Sequence, residues 1–567
     1  MRRFSSLFAL GLLLATPVAA RQPDLPDRFA AGMVSAADPR AAEAGAQMLR
    51  QGGTATDAAL ATLLALTVVE PQSSGIGGGG FYLADDGHGR VDVIDGRETA
   101  PAAATPDWFK AGDAYLAFGQ IVPGGRSVGV PGNVSLMAKA HRRHGALPWK
   151  DLFSPAIRLA RDGFAITPRF HDFLIRSRDK AGFTAQGRAL FYAADGAPLP
   201  VGTTVRNPAL ADFLDRLARK GARAFYRGEN ARAIVGAVRG AERGAAPMTR
   251  RDLAGYAAQV REPVCFTYRL HRLCGMGPPS SGATTVFGVL GLIERFDMAA
   301  LGKDSATAWH LIIEAQRLTY ADRERYLADP AFVSVPVAGL LAPEYLAQRS
   351  GLIAIDRTLP TVTAGTPPGA VTTQADAVSA EVPSTSHFAV IDRKGRAATL
   401  TSTIEGPFGS GLMANGYYLN NELTDFSIVP ERDGKPVANR VEAGKRPRSS
   451  MSPTLVYAPD GSLRMAIGAA GGATIPAQVV KAIIGVIDWK LSARDAIALP
   501  VVFAPGGSTV FVEQGSPHEA LVPALQALGH ADVRLRTPSF KANAVEVVDG
   551  KLIGAADPRS EGLAVAE

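Results

Sequence analysis

Cysteine is nearly missing: the 567 residues hold two, Cys265 and Cys274. That excludes a disulfide-dense scaffold and a cysteine-rich metal or iron–sulfur centre. Histidine is scarce as well, at nine, with no His-Glu-x-x-His arrangement. His141 and His144 make one pair on a basic helical face, so neither a metal nor another cofactor is expected. Beyond the N-terminus, no run is apolar over the ~20 residues that a membrane span needs. The most apolar stretch, Ala58 to Val69, is broken by Thr62 and Thr67 and reads as a buried helix. Charge of one sign dominates nowhere. The formal excess of +7 is spread without a basic stripe or interleaved aromatics, which excludes a nucleic-acid groove.

What is present begins with an export signal. Met1-Arg2-Arg3, the apolar run Leu7 to Ala15 and the small residues Val18-Ala19-Ala20 follow the order of a secretory leader. Arg2-Arg3 raises a twin-arginine route, which Phe4-Ser5-Ser6 fits poorly. Removal of residues 1–20 leaves a soluble protein, periplasmic or secreted, with no membrane span. Its 47% hydrophobic content is ample for a large core. In an oxidising compartment the cysteines have two fates. Cys265 to Cys274 reads as two short strands turning at Arg269-Leu270, which sets the thiols opposite each other with Cα atoms about 4.5 Å apart. A disulfide and two buried thiols both fit.

Helices are expected over Thr54–Val69, Gly132–His144, Ser154–Asp162 with Ser154 as its cap, and the long amphipathic Ser305–Leu327, stopped by Asp329-Pro330. Strands are expected over Phe81–Ala84, Val91–Asp95, Phe388–Asp392, Ala397–Ser402, Tyr417–Asn420, Thr454–Tyr457 and Leu463–Ile467. Asp392-Arg393-Lys394-Gly395 reads as a hairpin turn. Helices dominate the first half and strands follow residue 385, which points to a layered α+β fold. The one linker-like stretch is Thr358 to Pro383, rich in Pro, Thr, Gly and Ala.

Where that linker meets a strand stands Pro383-Ser384-Thr385-Ser386-His387. A cut between Ser384 and Thr385 would make Thr385 an N-terminus whose hydroxyl and α-amine form a nucleophile–base pair within one residue. The plainer alternative is a threonine starting a strand.

Other runs carry two readings each. Gly75 to Gly80 follows a helix and lacks a P-loop ending, so close backbone packing suits it better than phosphate binding. Gly125-Arg126-Ser127-Val128-Gly129 matches a serine-hydrolase elbow, but Pro131 interrupts the helix that the elbow requires. Lys445 to Thr454 is a cationic, hydroxyl-rich turn in which Ser449 and Ser450 can grip a carboxylate, or simply a turn. Gly471-Gly472 after a strand can offer backbone N–H groups to an oxyanion, or form a bulge. Glu422 and Asp425 can hold an ammonium group, or lie in a solvated loop.

Taken in order, these blocks resemble the gamma-glutamyltransferase family of N-terminal-nucleophile hydrolases. The likeness runs from Val34 to Arg559. It includes Gly77-Gly78-Gly79-Gly80-Phe81, Asp95-Gly96-Arg97-Glu98, Pro278-Pro279-Ser280-Ser281-Gly282, Tyr320-Ala321-Asp322-Arg323, Thr385-Ser386-His387, the 445–454 run and Asp557-Pro558-Arg559. The resemblance implies a four-layer αββα sandwich. It also implies a precursor cut between Ser384 and Thr385 into a large subunit, 21–384, and a small one, 385–567, that stay associated. Thr385 is the implied nucleophile, oriented by Thr403, with Gly471 and Gly472 as the oxyanion hole. Arg97, Ser449 and Ser450 match the residues that hold the substrate α-carboxylate, and Glu422 and Asp425 those that hold the α-ammonium. The implied substrate is a γ-glutamyl amide such as glutathione, resolved by water or an amino-acid acceptor.

The chain departs from the pattern in three places. Glu405 stands where familiar members carry asparagine, so Glu405, Glu422 and Asp425 crowd one ammonium; repulsion then raises a carboxyl pKa unless a cation intervenes. A same-fold amidase of the cephalosporin or glutaryl acylase type is the alternative. Ala473-Thr474 replaces Ser-Arg after the paired glycines. The 427–444 segment is short and lacks a tyrosine, which favours hydrolysis over transfer.

Overall fold

A computed structural model describes residues 25–377 and 384–567. The leader-like segment 1–20 and the last part of the linker, 378–383, lie outside the described residues.

Two antiparallel sheets form the centre. The first has seven strands in the order Leu563–Ala566, Met33–Ala36, Ser386–Ile391, Ala397–Thr403, Gly79–Asp85, Val91–Asp95, Gln259–Arg261. The second has six, in the order Lys551–Ala556, Lys541–Val548, Leu463–Ala470, Thr454–Tyr457, His271–Gly275, Val264–Tyr268. Side chains alternate along each strand. From Gly79–Asp85, Phe81 and Leu83 join Ile391 and Leu455 between the sheets, while Tyr82 and Ala84 turn outward to Leu60, Leu64 and Met48. The helices Pro39–Arg50 and Ala55–Val69 therefore cover the first sheet, and Gly282–Ile293, Ala306–Tyr326 and Ile475–Ile487 cover the second. The result is the four-layer αββα arrangement. With both sheet faces covered, Ser386–Ile391 and Ala397–Thr403 are buried at every position.

Local chemistry sets the boundaries. Thr54 caps Ala55–Val69 in a reciprocal capping box with Asp57. The glycine run packs backbone on backbone: a Cβ on Gly77 would lie 1.9 Å from the Tyr418 carbonyl oxygen, and one on Gly78 1.9 Å from that of Thr403.

Several expectations need correction. Ser154 does not cap its helix. A 3-10 turn, Trp149–Phe153, runs directly into Ser154–Asp162, and the Ser154 hydroxyl donates to the Asp151 carbonyl instead. Ala306–Tyr326 is not amphipathic but buried all round, because Glu314 and Arg317 neutralise each other at 2.7 Å and Asp322 meets Arg349. Tyr417–Asn420 shrinks to the two-residue strand Tyr417–Tyr418.

The two thiols are joined. Cys265 and Cys274 face each other across the outermost strand pair of the second sheet, with Cα atoms 4.1 Å apart. Arg269 and Leu270 take φ of +48° and +67° in the tight turn between them. A disulfide closing so short a loop contributes about 2–3 kcal/mol. Cys265→Ser should lower the urea-unfolding free energy by that amount under non-reducing conditions and by nothing under reducing ones.

Next to the nucleophile candidate, His387 is fully buried and hydrogen-bonded to the Thr401 hydroxyl at 2.8 Å. Burial lowers its pKa from 6.5 to about 3. The unfolded chain thus binds a proton between those values that the folded chain refuses. Stability present above pH 6.5 is lost as pH falls toward 3. His387→Asn should flatten the acid side of the stability profile, read by denaturant titration at pH 4 and pH 7.

Candidate active site

Nine of the ten candidate site residues line a single cavity: Arg97, Thr385, Thr403, Glu405, Glu422, Asp425, Ser449, Ser450 and Gly472. Gly471 precedes the last of these. Met451 and Ile475 complete the wall, two apolar positions that carried no signal in the sequence. Ser127 lies elsewhere. It is buried in a short turn, and its hydroxyl donates to the Gly124 carbonyl at 2.7 Å.

Thr385 sits just before the strand Ser386–Ile391, in the middle of the first sheet. Its hydroxyl donates to the Thr403 oxygen at 3.1 Å, and that oxygen also accepts the Glu405 amide at 2.8 Å. The neighbours on both sides of Thr385 are held. The Ser384 hydroxyl donates to the Gln72 carbonyl at 3.0 Å, and the Ser386 hydroxyl donates to Glu70, at 2.5 Å. Glu70 is in turn paired with buried Lys541, 3.1 Å away. Burial draws the Lys541 pKa down to about 8. Between these anchors Thr385 takes φ of +92°, a region that β-branched residues avoid. Conformations of this kind cost about 1–3 kcal/mol and persist only where their surroundings over-determine them.

Gly471 and Gly472 also have positive φ, +137° and +59°, and feed through a 3-10 turn into the helix Ile475–Ile487. The N-terminus of that helix adds positive potential beside the cavity.

The charged wall is a closed network. Arg97 is fully buried; one guanidinium nitrogen donates to Glu422 and another to Asp425, and the fork also reaches the Arg448 and Pro447 carbonyls at 2.7 and 3.1 Å. Burial opposes the Arg97 charge, but Glu422, Asp425 and Glu98 more than offset it and hold the pKa above its usual value. The intervening cation that the three crowded carboxylates called for is therefore Arg97 itself. Glu405 accepts a hydrogen bond from the Asn421 amide. Beside this network Glu98 has a raised carboxyl pKa: burial first, then the Glu422 charge, push it well above its usual value. Its oxygens lie against Gly79, where a Cβ would come within 2.3 Å of one of them. In the sequence Glu98 stands in the Asp95-Gly96-Arg97-Glu98 block with no local signal of a role.

One group among the described residues has metal-ligand spacing: His310, Glu314 and His530. Its atoms are already engaged. His310 Nδ1 and His530 Nε2 share a hydrogen bond at 2.7 Å, and Glu314 is taken up by Arg317, Thr358 and Leu359.

The family model described as gamma-glutamyltranspeptidase matches residues 41–567. The chain belongs to this gamma-glutamyltranspeptidase family. The Glutathione hydrolase proenzyme of Bacillus subtilis (strain 168) is 35% identical over 547 residues, covering 94% of this chain and 91% of that protein. The Acylase ACY 1 proenzyme of Pseudomonas sp. (strain V22) is also 35% identical, over 546 residues, covering 94% and 93%. The crystal structure of a cephalosporin acylase from Bacillus halodurans superposes with a TM-score of 0.84 at 27% identity, covering 98% of this chain and 99% of that one. The gamma-glutamyltranspeptidase sequence is thus carried on the fold of the N-terminal-nucleophile hydrolases.

Proposed function

We propose that this chain is a precursor that cuts itself between Ser384 and Thr385 and then works as a γ-glutamyl hydrolase and transferase. The observation that supports this most is the single cavity uniting Thr385, Thr403, the Arg97 network, Ser449, Ser450 and Gly472. In maturation the Thr385 hydroxyl adds to the Ser384 carbonyl carbon, the C–N bond breaks, and an ester links the two residues. Water cleaves the ester, leaving a Ser384 carboxylate and a free α-amine on Thr385. In turnover that amine takes the hydroxyl proton as Oγ adds to the γ-amide carbonyl of glutathione or a related compound, then passes it to the departing amine. The Gly471 and Gly472 N–H groups face the developing oxyanion. The α-carboxylate is held by Arg97, Ser449 and Ser450, and the α-ammonium by Glu405, Glu422 and Asp425. Water or an amino acid releases the γ-glutamyl group from Thr385. No cofactor takes part in this scheme.

We also assign the protein to an exported, periplasmic or secreted pool. The leader-like order of residues 1–20 supports this, as does the disulfide, which suits an oxidising compartment. Among the described residues, no helix is long and apolar enough to cross a membrane.

N-terminal sequencing of the purified protein should return a fragment beginning Thr-Ser-His beside a larger one. Kinetics on two anilides then decide the substrate. The γ-glutamyl anilide should be preferred over the glutaryl anilide, which lacks the α-amine. Glu405→Asn should shrink that preference about tenfold, the equivalent of ~1.4 kcal/mol. Glu405 and the acylase relatives favour a second reading, an amidase for acyl groups without the ammonium; a wild-type preference for the glutaryl anilide would establish it in place of the first.

A further inference from the structure

Two sequence blocks remain without a task, Pro278 to Gly282 and Tyr320 to Arg323, and both end at the serine pair of the cavity. Ser280 forms a parallel bridge with Ser449. The Ser281 amide and hydroxyl both donate to the Ser449 carbonyl, at 2.8 and 2.7 Å. The Ser280 hydroxyl donates to the Met451 carbonyl at 2.7 Å. Arg323, 2% exposed on the buried helix Ala306–Tyr326, ties this clamp to the site. Its Nε donates to the Ser281 oxygen at 2.9 Å and its Nη2 to the Ser450 oxygen at 2.7 Å, while Glu324 balances its charge.

The polarity of these bonds matters more than their number. A serine hydroxyl has one proton to give and two lone pairs to offer. Ser450 Oγ receives a proton from Arg323, and Ser449 Oγ receives one from the Met451 amide at 3.2 Å. Each oxygen is thus used as an acceptor on the protein side, by a donor that cannot reverse its role. Each O–H is left to point into the cavity that both serines line. Two such protons match the two oxygens of a carboxylate, which only accepts.

We infer that Arg323 is a positioning residue for substrate carboxylate recognition: it touches no substrate, but fixes Ser450 as a donor and, through Ser281, sets where Ser449 stands. This rests on the γ-glutamyl reading given above. Ordinary structural support would affect all acyl groups alike; donor orientation affects only those with a carboxylate to bind.

The test uses the processed enzyme and three anilides that share the acyl chain as far as the α-carbon: γ-glutamyl, glutaryl (no α-amine) and 4-aminobutyryl (no α-carboxylate). Arg323→Met should raise KM about tenfold or more for the first two, the worth of a charged hydrogen bond, and leave both KM for the third and every kcat nearly unchanged. In a Ser450→Ala background the same substitution should add less than threefold. Ser281→Ala, which keeps the guanidinium, should raise KM in the same carboxylate-dependent way, and it carries the test if Arg323→Met does not fold. Equal KM increases for all three anilides, or full additivity with Ser450→Ala, would overturn the inference while leaving the γ-glutamyl reading standing. A wild type that binds 4-aminobutyryl and γ-glutamyl anilides equally well would overturn both.

Discussion

Thr385→Ala should yield one uncut chain without turnover, while the wild type is recovered as two fragments. The substitution removes a hydroxyl that sits one residue from the Ser384 carbonyl and 3.1 Å from Thr403. It leaves the fold alone, because Thr385 contributes little to either core and its flanking anchors, Ser384 to Gln72 and Ser386 to Glu70, belong to other residues. Loss of turnover by roughly 10⁴-fold or more is expected for removal of a nucleophile. Thr385→Ser sharpens the test. It keeps the oxygen but drops the methyl that restricts χ1, so Oγ spends less time aimed at its target. Slow cutting at the same bond, followed over hours by denaturing gel and mass spectrometry, is the expected result. A Thr385→Ala chain cut at residue 385 would mean that another protease does the work.

Arg97→Met should be the most damaging change in the substrate wall. The guanidinium neutralises Glu422 and Asp425 directly and stands 3.9 Å from Glu98, all within a buried pocket. Removing one member of such a network strands the remaining charges, which costs about 3–5 kcal/mol. The protein should unfold at visibly lower urea concentration, and whatever folds should lose about 100-fold or more in kcat/KM for the γ-glutamyl anilide. Arg97→Lys separates the two losses. It restores a positive charge, and so most of the stability, but a single ammonium cannot contact Glu422, Asp425 and the Arg448 carbonyl in one plane as the guanidinium does. A lysine variant with wild-type KM would remove Arg97 from the carboxylate site.

The contrast between stable and active variants follows from what could be seen in the chain itself. Thr385, Ser449 and Ser450 were legible because their chemistry is local: a hydroxyl at a linker–strand junction, and adjacent hydroxyls in a cationic turn. Val91–Asp95 and Thr454–Tyr457 were legible because β-branched runs have a short-range preference. Glu70 with Lys541 was not, since the partners lie 471 residues apart and each looks like a surface charge until the fold joins them. The same holds for Glu314 and Arg317, whose charges suggested a polar helix face where there is a buried pair. Met33–Ala36 and Leu563–Ala566, four residues each, are strands through long-range pairing: the first lies between Ser386–Ile391 and Leu563–Ala566, and the second pairs with it across nearly the whole chain. The role of Arg323 is invisible for a related reason: nothing in Tyr-Ala-Asp-Arg says which serine it will meet.

The strand order of the first sheet also decides what a cut at residue 385 can release. Met33–Ala36 lies between Leu563–Ala566 and Ser386–Ile391, so a strand from before the cut is flanked on both edges by strands from after it. In the second sheet Thr454–Tyr457 pairs with His271–Gly275, again across the divide. The two pieces are laced together like fingers of folded hands. Breaking one peptide bond therefore creates a new amine and a new carboxylate but releases no piece: neither can leave until both sheets come apart, so dilution should not separate them, and any condition that does will already have unfolded the protein.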